Sequence, residues 1–269
     1  ASPAFDGATL ALAAQMIVAG KLGKGQATDV ISIGASGTDY VGHRFGPGGV
    51  ESCIQLASLD RDLAGFFEVL DRFQVDYAVA LTADHGGLDL PERARLNGQP
   101  DAQRVDPALA AAAVGKAIGA KLNLPGQLLW GGTFGDIWVD PKLSAADRRR
   151  VIDAAIRHYR THPQVEAVFT AEQIAATKPA TSTPDKWTML ERARASYNPK
   201  RSGAFVVALK KYVTPIADPT RGYVATHGSF WDYDRRVPIL FWRKGLRGFE
   251  QPLSVETVDI APTLAALVG

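Results

Sequence analysis

The sequence predicts an α/β fold, a mainly parallel sheet flanked by helices and interrupted by a smaller α+β unit. Three observations carry this. Short apolar runs end in polar, glycine-rich segments, and they alternate with longer stretches of helical period. The chain has 269 residues, 46% hydrophobic and 22% charged, enough to bury a substantial core.

Residues 8–19 carry the pattern of an amphipathic helix, with Asp6 placed as its cap. Residues 20–25 read as a turn. Gly20, Gly23 and Gly25 around Lys21 and Lys24 follow a helix and lack the Gly-Lys-Ser/Thr ending of a phosphate loop. Residues 29–33 form a short apolar strand. Across 50–73 Leu56, Leu59, Leu63, Phe66, Phe67 and Leu70 recur at helical spacing. Residues 76–81 are short, apolar and preceded by that helix, so they read as a buried parallel strand. After Gly98-Gln99-Pro100 the pattern changes to a helix over 107–122 and strands near 127–130 and 135–139. A helix over 144–158 follows, with Ser144 and Asp147 spaced as at a helix start, and then a strand over 165–170. These place an inserted α+β unit at 99–199 and an α/β core at 1–98 and 200–269. The core resumes near 205–209 and closes with a strand at 237–242 and a helix over 258–267.

Candidate chemistry gathers where strands end. Leu81-Thr82-Ala83-Asp84-His85-Gly86-Gly87 sets a carboxylate beside an imidazole where an apolar strand meets two glycines. Successive strand residues point to opposite faces, so Asp84 and His85 converge on one ion only if the backbone leaves extended geometry, and the glycines permit that. Alternatively, Asp84 caps a following helix and His85 is an ordinary hydrogen-bonding residue. Asp39 and His43 follow the first strand and stand four apart, on one face of a helical turn if one forms; a solvated turn is the other reading. His227 lies in the polar loop Ala225-Thr226-His227-Gly228-Ser229 ahead of the last strand. Asp232 and Asp234 come soon after, either to orient His227 or to cap the loop.

The order of these motifs resembles the alkaline phosphatase superfamily. The carrying residues are Asp39-x-x-Gly42-His43 with Gly46-Pro47 after it, then Thr82-Ala83-Asp84-His85-Gly86. Thr226-His227-Gly228-Ser229 follows, leading into Asp232-Tyr233-Asp234 and Val237-Pro238, and the tail Val258-Asp259-Ile260-Ala261-Pro262-Thr263-Leu264. Within the superfamily the chain looks most like the type I phosphodiesterase and nucleotide pyrophosphatase group and the bacterial alkaline phosphatases with a threonine nucleophile. The resemblance implies two zinc ions, the first on Asp39, His43 and His227 and the second on Asp84 and His85. It also implies a small-molecule phosphate ester as substrate, a covalent phosphoryl intermediate, and a periplasmic or secreted location in a bacterium. Related alternatives are a manganese-dependent phosphomutase, a sulfatase, or a non-catalytic module that keeps one metal.

The sequence departs from that pattern upstream of Asp39. Family members take their Thr or Ser nucleophile, and a further Asp ligand of the second zinc, from a first strand and the loop after it. Residues before Asp39 read as a helix, a turn and the 29–33 strand, and supply neither. The expectation is therefore a C-terminal part of a longer enzyme. It has no catalytic nucleophile of its own, depends on the missing N-terminal segment as partner, and is inactive alone.

Composition excludes other classes. The net charge is +2, and no Lys/Arg cluster with interleaved aromatics provides for a nucleic-acid polymer. No apolar run approaches a membrane span. One cysteine, Cys53, excludes an internal disulfide. Arg148-Arg149-Arg150 reads as a solvated helix face. His158 and His162 also stand four apart, but His162 precedes Pro163 and both read as surface.

Overall fold

The computed structural model describes residues 2 and 4–268. Helix α1 (Ala4–Gly20) buries Leu10, Ala13 and Ile17 on one face, against Phe66 and Leu70 of the long helix α3 (Val50–Arg72). Each large apolar side chain buried there is worth roughly 1.5–3 kcal/mol over exposure. Leu56, at one end of the predicted apolar series of α3, is instead 55% exposed. Helix α2 (Gly37–Phe45) lies between them in sequence and ends at Gly46, whose φ of 79° suits a residue without Cβ. The Gly20–Gly25 run is a turn, with Gly23 N–H donating to the Asp29 carboxylate and Lys24 Nζ to the Gln74 carbonyl.

Strand β1 (Ala78–Thr82) pairs with β8 (Ile239–Arg243), Ala78 opposite Arg243 and Thr82 opposite Ile239. Between them come α4 (Pro91–Leu96), β2 (Gln103–Arg104), α5 (Ala111–Leu122), β3 (Leu129–Trp130), β4 (Gly135–Val139) and α6 (Ala145–Arg160). They continue with β5 (Val165–Thr170), α7 (Ala171–Ala176), α8 (Met189–Ala195), β6 (Phe205–Leu209), β7 (Val213–Thr214) and α9 (Asp232–Arg235). Helix α10 (Ile260–Val268) closes the chain. Ser144 caps α6 by accepting from the Asp147 N–H at 3.1 Å, the start its spacing predicts.

The expected α/β fold holds, and its strand pairing differs from the expectation. Strands β1 and β8 run antiparallel, and the four-stranded sheet β3-β4-β6-β5 is antiparallel throughout. Among the described residues the parallel pairing is that of β2 with β7. Residues 29–33 have no ladder partner there, and Val30 is 69% exposed. An apolar run of strand length does not encode the direction of its neighbour, which depends on distant chain. Phe205–Leu209 also lies elsewhere than expected. It is buried on both faces and is an inner strand of the four-stranded sheet, between β4 and β5, although the boundary at residue 200 assigned it to the core with the metal motifs.

That sheet and helices α5 and α6 enclose the largest apolar cluster, which includes Leu109, Leu129, Ile137, Val151, Phe205 and Val207. Tyr159 is wholly buried within it and donates its hydroxyl to the Leu109 carbonyl at 3.1 Å. Removing that hydroxyl leaves a buried acceptor unpaired. Tyr159→Phe is therefore expected to lower the urea unfolding free energy by about 1–3 kcal/mol. Phe205→Ala, which opens a cavity, is expected to lower it by about 3–5 kcal/mol.

Candidate metal centre

The antiparallel register of β1 and β8 brings the end of β1, where Asp84 and His85 follow, beside the start of β8, where the chain arrives from His227. Backbone hydrogen bonds extend this contact past the strands. Gly86 N–H donates to the Asp234 carbonyl at 2.8 Å and Gly87 N–H to the Tyr233 carbonyl at 2.9 Å. A Cβ on Gly86 would collide with the Tyr233 carbonyl oxygen. The glycine is thus needed for close backbone approach, and neither Gly86 nor Gly87 has a positive φ.

Helix α2 joins the same point from the other side. Asp39 and His43 share one helical face, with His43 Nε2 3.4 Å from Asp39 Oδ1. The Val224 N–H donates to the His43 carbonyl at 2.8 Å, and His43 Nδ1 lies 2.8 Å from the Ala225 carbonyl oxygen. A carbonyl oxygen only accepts, so Nδ1 is the donor in that contact and Nε2 is turned toward Asp39. The ring of Tyr223 covers His43, with centroids 4.8 Å apart.

Around Asp39 Oδ1 stand three imidazole nitrogens: Nε2 of His43 at 3.4 Å, of His227 at 3.6 Å and of His85 at 3.7 Å. These separations exceed ordinary hydrogen bonds. Two donors on one tetrahedral zinc at about 2.0–2.1 Å stand roughly 3.3 Å apart, so the spacings of His43 and His227 from Asp39 Oδ1 suit donors gathered round a small cation. Asp39, His43 and His227 each offer one ligand atom within 4.8 Å of the others, the one such group among the described residues. One carboxylate oxygen and two imidazole nitrogens are a donor set that zinc accepts.

Asp84 and His85 sit differently. The Asp84 carboxylate is 89% exposed and accepts from the His85 backbone N–H. His85 Nδ1 is 2.8 Å from the Gly86 carbonyl oxygen, and its ring lies nearly flat on that of His227, with centroids 3.3 Å apart. His85 thus stands between two carboxylates, its Nε2 3.6 Å from Asp84 Oδ1 and 3.7 Å from Asp39 Oδ1, while the Asp84 carboxylate stays largely exposed. Burial first, and then the neighbouring His85, hold the His227 ring below its ordinary pKa and favour the neutral, metal-ligating form.

Of the two later carboxylates, Asp234 faces the centre. It is 5% exposed, accepts from the Ser229 N–H at 2.7 Å, and leaves Oδ1 buried without a partner. Burial raises its pKa, which its hydrogen bonds with Ser229 and the charges of His227 and His85 partly counter. Asp232 instead pairs with Arg192 and Arg235, away from the imidazoles. His162 pairs with Asp106 at 3.4 Å, and Arg201 lies in an exposed turn ahead of β6.

Sequence reasoning missed Tyr223, the Ala225 carbonyl and Arg104. Arg104 holds Glu92 through a two-pronged ion pair at 2.8 Å and donates to the carbonyls of Ile216 and Val224, anchoring the segment that runs into His227. Nothing local signals these contacts, because their acceptors are mostly backbone carbonyls.

The profile of the type I phosphodiesterase / nucleotide pyrophosphatase family matches residues 4–230. Alkaline phosphatase PhoK from Sphingomonas sp is 54% identical over 270 residues, covering 99% of this chain and 48% of the relative. Alkaline phosphatase PhoD from Zymomonas mobilis subsp. mobilis is 46% identical over 270 residues, covering 99% and 47%. The crystal structure of wild-type alkaline phosphatase PafA superposes with a TM-score of 0.82 at 27% identity, covering 99% of this chain and 50% of that one. The chain belongs to the type I phosphodiesterase / nucleotide pyrophosphatase family, within the alkaline phosphatase superfamily. It spans about half the length of the curated relatives it matches.

Gly86→Ala is expected to push the Tyr233 carbonyl away, costing about 1–3 kcal/mol in urea unfolding and shifting the imidazole proton resonances of His85 and His227. A second expectation concerns pH. Partial burial pulls the Glu92 carboxyl upward, but the hydrogen bonds and charge of Arg104 outweigh it, and the net shift is downward. A depressed carboxyl stabilises the fold above its unfolded value of about 4.3, and that contribution disappears as pH falls through the lower folded value. In thermal unfolding from pH 3 to 6, the advantage of the native chain over Glu92→Gln should be constant above about pH 5 and shrink below it.

Proposed function

We propose that the chain forms the metal-holding part of a phosphate-ester hydrolase acting at two zinc ions. Asp39, His43 and His227 are assigned to the first ion, Asp84 and His85 to the second. The observation that carries the reading is Asp39 Oδ1 with Nε2 of His43 and His227 at 3.4 and 3.6 Å, and beside them His85 Nε2 3.6 Å from Asp84 Oδ1 and 3.7 Å from Asp39 Oδ1, drawn from helix α2, the end of β1 and the loop before β8. Kinship with proteins named alkaline phosphatases supports the reaction class.

Bound zinc supplies Lewis-acid polarisation and a charge clamp on the entering and departing oxygens at phosphorus. The chain's own residues prepare for it. The Ala225 carbonyl holds His43 by Nδ1 and the Gly86 carbonyl holds His85 in the same way, so each ring presents Nε2 inward. Asp234, buried beside the Ser229 amide, sets negative charge near His227 and His85. Asp84 and His85 give two donors where a tight site takes four. The remaining donors and the Thr or Ser nucleophile are assigned to the other half of the enzyme. The half-length match to the relatives supports that assignment. So do the apolar 29–33 segment, which has no ladder partner among the described residues, and the exposed Leu240, Phe241 and Trp242 of β8, apolar surface open to a further part of the fold. The reading takes a small-molecule phosphate ester as substrate and a periplasmic or secreted location for the enzyme.

Calorimetric zinc titration tests the reading. The chain should bind zinc at one well-formed site that Asp39→Ala/His43→Ala loses, while His158→Ala/His162→Ala retains it. Unchanged zinc binding in the first double variant would sink the assignment.

A further inference from the structure

A carboxylate far from the metal group in sequence lies behind it in space. Asp6, in the first turn of α1, is fully buried. It accepts hydrogen bonds from two other helices, the backbone N–H of Gly37 at 2.8 Å and Gln55 Nε2 at 2.8 Å. Gly37 is the first residue of α2, and Gln55 belongs to α3. Asp6 therefore ties three helices at one point, and both hydrogen-bond partners are neutral.

Helix α2 lacks the usual means of closing its own start. The residue at its N-cap, Ser36, makes no side-chain cap bond and has φ −82° and ψ −6°, away from the extended geometry that cap residues take. At nine residues the helix is too short to hold by itself, and its first N–H groups have no partners within it. The Asp6 carboxylate meets the first of these from a neighbouring helix, with its charge at the positive end of the helix dipole. The fit is close. A Cβ on Gly37 would stand 2.7 Å from Asp6 Oδ2.

The arrangement is costly for a purely structural contact. A buried carboxylate with no cation beside it gives up hydration that neutral donors only partly replace. Gln55 Oε1 and Thr38 Oγ1 are also buried without partners. The helix so fixed carries Asp39 two residues after Gly37, and His43 one turn later.

We propose that Asp6 is a positioning residue for the metal centre, fixing the start and rotation of α2 so that Asp39 and His43 face His227. The link to metal rests on the zinc reading above; the link to α2 does not.

Two readouts on the intact chain separate them: amide exchange across α2 without metal, and zinc affinity by calorimetry. In Asp6→Ala the α2 amides from Tyr40 to Phe45 should exchange about tenfold faster, and zinc affinity should fall about tenfold. Asp6→Asn retains an acceptor for Gly37, and a turned Gln55 amide can then present its unpartnered Oε1 to the new side-chain N–H. Both readouts should return to within about threefold of native. If Asp6→Ala does not fold, Gly37→Ala disturbs the same contact from α2 and should show the same local exchange. The proposal is overturned by native α2 exchange in the alanine variants, by failure of Asp6→Asn to rescue, or by exchange that rises in α1 and α3 as much as in α2. Native zinc affinity alongside faster α2 exchange overturns the link to metal. A native chain that binds no zinc defeats the zinc reading and the metal link together, and leaves exchange to decide the role in α2.

Discussion

The close backbone approach at Gly86 is the constraint on which the metal centre depends. Side chains from helix α2, the end of β1 and the loop before β8 reach one point because the loops carrying them are sewn together through main-chain groups. Gly86 and Gly87 donate to Asp234 and Tyr233, and the His43 carbonyl accepts from Val224. Main-chain groups out of reach of water must find partners, so these bonds hold each loop at a fixed distance whatever its side chains do. A bond of this kind tolerates almost any side chain except where two backbones come too close for a Cβ, as at Gly86. The precision of the centre thus comes from the backbone, and its chemistry from the side chains that the backbone aims.

Electrostatics act on that frame in opposing senses. Three imidazoles share one carboxylate oxygen, and two of the rings lie face to face at 3.3 Å, an arrangement hostile to two imidazolium charges. Burial also favours the neutral form of His227. Asp234 restores negative charge from behind, at the cost of a buried oxygen without a partner. The neutral form so favoured at His227 is the one a divalent cation requires of an imidazole ligand.

Much of this was legible in the sequence, and the boundary is physical. The strands Gly135–Val139, Val165–Thr170 and Phe205–Leu209 and the Ser144 cap follow from periodicity and capping chemistry, which are local. The motif residues Asp39, His43, Asp84, His85 and His227 stand out because acids and imidazoles beside strand ends and glycines are unusual. Strand direction was not legible. Whether Ala78–Thr82 pairs parallel or antiparallel is decided by a strand more than 150 residues away. Two readings of single residues also reached only part of the cause. Gly86 suggested a bend and provides close approach, and Asp6 suggested a cap for its own helix and meets the N–H of another.

Burial is distributed unevenly, and that bears on where rigidity comes from. The cluster under the four-stranded sheet includes many residues with almost no exposure, whereas the part with the metal motifs leaves Val30, Leu240, Trp242 and Val258 half or more exposed. Local stability follows buried apolar contact, so the sheet unit is the firmer of the two. Arg104 lies at their junction. From β2, which pairs with β7 beside the sheet cluster, it reaches the Val224 carbonyl one residue before the group that holds His43. The segment entering the metal centre is thus fastened to the better packed half. The site gains order from a unit that contributes none of its proposed ligands.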